Sequence, residues 1–90
     1  MTKKIAVIVR NRQGEALRMA IGLILLDDRI DIYVLDRKIE DTEQNRLNLE
    51  TIRDLELNAY TNEPANSSMA YLSLEEISRK IVDYDHVLAY

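Results

Sequence analysis

Arg10, Asn11, Arg12, Gln13 and Gly14 are the residues best placed by type and spacing to do chemistry, because they follow directly on an apolar run at residues 5–9. Two guanidiniums beside the free backbone N–H groups of a helix start suit an anionic group. Tyr60, Thr61 and Asn62 end a later apolar segment in the same manner. In open α/β sheets ligands gather at the carboxyl ends of strands where the strand order reverses. The candidate ligand-binding set is therefore Arg10, Asn11, Arg12, Gly14, Tyr60, Thr61 and Asn62, with a small anion or nucleotide as the ligand. The first loop carries one glycine and has neither a GxGxxG pattern nor a Walker lysine, so it is no phosphate fingerprint.

Other chemistry finds little footing. The chain has no cysteine and a single histidine, which excludes thiolate metal sites, disulfides and thiol nucleophiles. His86 opens its strand, at the end of the sheet opposite the crevice, whereas the loop hydroxyls of Ser67 and Ser68 belong to the crevice end. No HxxxH, cysteine pair or calcium-loop pattern is present, so no metal site and no cofactor are expected. Asp27-Asp28 and Asp83 with Asp85 are simpler as helix-ending turns. The expectation is a chain that is not an enzyme.

The elements that position these residues can be read in order. Residues 5–9 are apolar throughout and β-branched, the signature of a strand buried on both faces of a parallel sheet. A helix over residues 15–28 places Ala16, Leu17, Ala20, Ile21 and Ile24 on one face, while Leu23, Leu25 and Leu26 fill the other directions. Residues 30–36 alternate with period two and carry Asp31 among apolar neighbours, which predicts an edge strand. Asp41 or Thr42 can cap a helix running to about Glu56. A short strand follows at residues 57–61. A loop over residues 62–72 holds the only proline. Ser73 and Glu76 form a capping box for a helix from Leu74, with Leu74, Ile77, Ile81 and Val82 as its buried stripe. Residues 86–90 make a last strand.

This βαβαβαβ order predicts one α/β domain over residues 1–90. Its architecture is three-layered and flavodoxin-like, with a four-stranded parallel sheet of order 2-1-3-4 and helices on both faces. In that order the first helix stands alone on its face. Four strands span about 19 Å at roughly 4.8 Å each, and one helix shields only about 10 Å. The surplus leucines Leu23, Leu25 and Leu26 would then face a partner subunit, making the chain a homo-oligomer or hetero-oligomer. A net charge of −4 argues against nucleic acid and anionic membrane surfaces as partners. No apolar run nears the roughly 20 residues that span a bilayer, and the amino terminus leads straight into a strand with no leader pattern. The expected location is cytoplasmic.

The opening KIAVIVR, the leucine-rich GLILLDD, the strand DIYVLD and above all the closing SLEEISRKIVDYDHVLAY give the whole chain a likeness to a known family. It resembles the DsrE/DsrF/DsrH-like family, which includes the TusB, TusC and TusD sulfur-relay subunits. The resemblance implies the fold and a habit of assembling with related subunits. The family's carriers hold sulfur as a persulfide on a cysteine in a loop near the carboxyl ends of the sheet. The corresponding region here is TNEPANSS, residues 61–68, or the loop before it, without a cysteine. A serine forms no stable persulfide, so carrier activity does not carry over. What the resemblance implies is a non-catalytic, accessory or assembly subunit in sulfur handling. The alternative is the small anion- or nucleotide-binding module described above.

Overall fold

The computed structural model describes residues 3–23, 29–67 and 69–89. It is an α/β fold built on one sheet of five parallel strands. In chain order the elements are β1 (Lys4–Val9), α1 (Gln13–Leu23), β2 (Arg29–Val34), α2 (Glu43–Asp54), β3 (Asn58–Thr61), β4 (Ala70–Tyr71), α3 (Leu74–Ile81) and β5 (His86–Ala89). The strand order is β4-β3-β2-β1-β5. This differs from the expected 2-1-3-4: the third strand pairs with β2 instead of β1, the closing strand takes the free side of β1, and a two-residue strand forms inside the expected loop at residues 62–72.

The reason lies in β2. Ile30, Ile32 and Val34 point to one face, and Asp31 and Tyr33 to the other, with Leu35 following; all six are buried. A strand apolar on both sides must be covered on both sides and belongs in the interior of a parallel sheet. The edge position suggested by Asp31 is therefore corrected. The carboxylate lies inside the protein, 2% exposed, and is hydrogen-bonded there.

The order also sets the layers. Ala16, Leu17 and Ala20 of α1 and Ile52 of α2 pack with Ile5, Val7, Val9, Ile30, Ile32 and Val34 on one face. On the other, Ile77 of α3 packs with Ala6, Tyr33 and Leu35. Right-handed crossovers that step in one direction from β1 to β3 put α1 and α2 together, and the return crossover to β5 puts α3 opposite. The helix that stands alone is thus α3, not α1. Leu23 packs against the core under α1 and α2; Leu25 and Leu26 lie outside the described residues. The buried stripe expected on α3 narrows to Ile77 with Ile81 beside it, because Leu74 and Val82, at the helix ends, are exposed.

Local signals match the helix starts. Thr42 caps α2 by accepting a hydrogen bond from the Asn45 backbone at 3.1 Å. Ser73 and Glu76 form the reciprocal capping box of α3. The end of α2 is less ordinary. Leu57 N–H bonds the Ile52 carbonyl and Glu56 N–H the Arg53 carbonyl, which is the Schellman pattern. Glu56 stands at its left-handed position with φ 58°, where a Cβ is disfavoured by about 1–2 kcal/mol. Exchanging this exposed residue in Glu56→Gly is expected to stabilise the fold by about 0.5–1 kcal/mol after the entropy of the unfolded glycine is counted. Urea unfolding checks this, and a lowered midpoint would contradict it.

Candidate functional site

The carboxyl ends of β1, β2 and β3 carry a continuous polar cap. At its centre is residues 35–42, the segment that joins β2 to α2. Asp36 adopts φ 67°, a conformation aspartate tolerates better than most residues. Its backbone N–H donates to Asn62 Oδ1 at 2.7 Å, and Asn62 Nδ2 returns a bond to Asp36 Oδ1 at 3.1 Å. Arg10 Nε lies 3.4 Å from Asp36 Oδ2. Arg10 and Asn62 are thus linked through Asp36, which stands between the two loops that were expected to adjoin.

Two buried amides fix the rest of the segment. Gln13 donates to the Lys38 carbonyl at 3.1 Å and accepts from Glu40 N–H at 2.9 Å. Asn66 accepts from Ile39 N–H at 2.9 Å and donates to the Arg37 carbonyl and to Thr61 Oγ1. Buried backbone groups of a loop need such partners. Thr61 is itself fully buried, and its hydroxyl donates to the Val34 carbonyl while accepting from Glu63 N–H and Asn66. That hydroxyl is occupied in holding the loop. Tyr60 points to the α3 face, where it stacks on Tyr33.

The remaining members of the expected set stay together. Asn11, Arg12 and Gly14 line a cleft of about 380 Å³ with Arg18, Gln44 and Asn45. The first turns of α1 and α2 both open onto it. Arg12 keeps a loose pairing with Glu15, at 3.9 Å. A methyl at Gly14 would meet Asn45 Oδ1 at 3.7 Å, an ordinary contact, so the glycine is not demanded by crowding. The cleft takes in none of Tyr60, Thr61 and Asn62. His86 lies at the opposite end of the sheet, beside Ile5. Among the described residues no three His, Asp or Glu side chains gather as a metal site.

A second constellation, with little sign in the sequence, lies on the α3 face near the amino ends of the strands. Asp31 accepts at Oδ2 from the Tyr84 hydroxyl at 2.5 Å and at Oδ1 from Asn58 Nδ2 at 3.1 Å. Tyr33 OH lies 2.7 Å from Tyr84 OH. Since Tyr84 gives its proton to the carboxylate, Tyr33 donates to Tyr84. Lys4 Nζ sits 4.6 Å from the centre of the Tyr84 ring, within cation–π range. The available signal was an acidic residue in an otherwise apolar strand, two positions before a tyrosine.

Comparison with protein-family models, with curated proteins and with solved structures finds no match in any of the three.

The tyrosine network makes stability depend on pH. Burial, then the bonds to Asp31 and Tyr33, push the Tyr84 hydroxyl well above the usual phenol range. Burial also raises that of Tyr33, with its bond to Tyr84 pulling the other way. In the folded protein both keep their protons past about pH 10, where an unfolded chain releases them. The unfolded state then binds fewer protons, so this contribution is whole below pH 10 and is lost as pH rises above it. Tyr84→Phe is expected to cost about 1 kcal/mol at neutral pH and to flatten the alkaline decline of the urea midpoint. An unchanged slope would contradict this assignment.

Proposed function

We propose that this chain is a non-catalytic subunit of the DsrE-like kind, which works by assembling with copies of itself or with related subunits in sulfur handling and carries no persulfide. The observation behind the reading is the unequal covering of the sheet. Two helices lie over one face and one eight-residue helix over the other. An eight-residue helix is roughly 12 Å long and about 10 Å wide, less than the roughly 24 Å that five strands span at about 4.8 Å each.

Residues on the α3 side carry the consequence. Ile8 is only partly buried although β1 is an interior strand. Val87, level with Ala6 on that face, is 42% exposed, and Val82 at the end of α3 is 78% exposed. Apolar surface left open on a sheet is the usual ground for association. The missing cysteine supports the accessory role over the carrier role, because sulfur transfer of the family's kind needs a thiolate. On this reading the α3 side is the assembling surface; of the Leu23, Leu25 and Leu26 surface expected from the sequence, Leu23 packs against the core, and Leu25 and Leu26 lie outside the described residues.

Light scattering and native mass spectrometry test this. The expected result is an oligomer that falls to the 10.5 kDa monomer in Val87→Glu combined with Val82→Glu, with the circular dichroism of the fold unchanged. A wild-type monomer, or an oligomer indifferent to both changes, would overturn the reading.

A further inference from the structure

The second region of incomplete cover lies on the α2 side of the sheet. β3 and β4 are the strands farthest from β1, and the chain leaves β4 for α3 on the opposite face. The groove left between α2 and these strands has a volume of about 400 Å³, within the range of small-molecule sites. Leu49, Leu57, Ala59 and Met69 line it, each partly buried against the main core. Arg46 and Arg53 stand on its rim, seven residues apart on α2 and hence about two turns or roughly 10 Å along one face. Glu50 lies between them on the same side.

The charges define what fits. Arg46 engages Asp41, outside the groove, through Nε at 3.1 Å. Arg53 has no side-chain partner among the described residues. With Arg46 matched by Asp41, Arg53 is the one guanidinium on the rim open to a head group, and a single guanidinium suits a monoanion better than the multiple charges of a nucleotide. A guanidinium presents paired donors to a planar carboxylate. The apolar floor has no aromatic side chain on which a base would stack. We propose that this groove binds a small aliphatic carboxylate, with its chain along Leu49, Leu57, Ala59 and Met69 and its head group on Arg53. The site is separate from the α3 surface and does not depend on the assembly role.

Octanoate is the probe, titrated into the full chain and followed by amide NMR and calorimetry. The expected result is saturable binding with shifts centred on Leu49, Leu57, Ala59 and Met69. Arg53→Gln should weaken it about fivefold, the scale of an exposed charge pair, and Glu50→Gln should tighten it. Both positions are exposed, so both variants should keep the dispersed spectrum of the folded protein. Octylammonium should bind more weakly than octanoate. Equal affinity for octylammonium, shifts centred elsewhere, or indifference to Arg53→Gln would each overturn the proposal. So would a groove closed by a second copy, which would leave these amides unmoved by octanoate.

Discussion

The buried carboxylate of Asp31 is the constraint on which the arrangement of the sheet depends. An ionised carboxylate removed from water is costly unless donors replace its hydration. Here the donors come from two separate later parts of the chain and from opposite sides in space. Asn58 opens β3, on one side of β2; Tyr84 stands just before β5, on the far side of β1. Satisfying one carboxylate therefore brings β3 beside β2 and delivers the chain to β1 for its last pairing. Asp85 reinforces the delivery, with its N–H on the Lys4 carbonyl and its carboxylate accepting from Lys4 N–H.

The layers follow from that order. Because β1, β2 and β3 step one way, α1 and α2 share a face, and the polar cap at the carboxyl ends is a layer of side-chain amides around residues 35–42. Gln13, Asn62 and Asn66 spend their hydrogen bonds on that segment. A loop so held is a rigid platform, and the residues that rigidify it have little capacity left for a ligand. Open surface lies instead where helices run out: on the α3 face and in the groove beside α2. Both proposals rest on these two regions.

Much of the fold was legible in the sequence. The unbroken apolar run of β1, the alternation of β2, the Thr42 cap and the Ser73–Glu76 box each specify a local structure, and each element formed close to where its signal stood. The strand order was not legible, since parallel strands joined by helices can pair in several orders with the same local patterns. The misleading cue was Asp31, whose charge points to an edge until its partners Asn58 and Tyr84, 27 and 53 residues away, are known. Of the candidate site, Asn11, Arg12 and Gly14 line one cleft, as neighbours in sequence can. Thr61 and Asn62 stand apart from that cleft, with bonds to Val34, Asp36 and Asn66 that only the folded chain brings to them.

A double-mutant cycle between Asp31→Ala and Tyr84→Phe, read by urea unfolding at neutral pH, tests the central claim most directly. If the carboxylate and the hydroxyl act as one unit, the two losses are strongly non-additive, with a coupling on the order of 1–2 kcal/mol. Losses that simply add would show that Asp31 is tolerated in the interior without Tyr84, and the account of the strand order would fail with it.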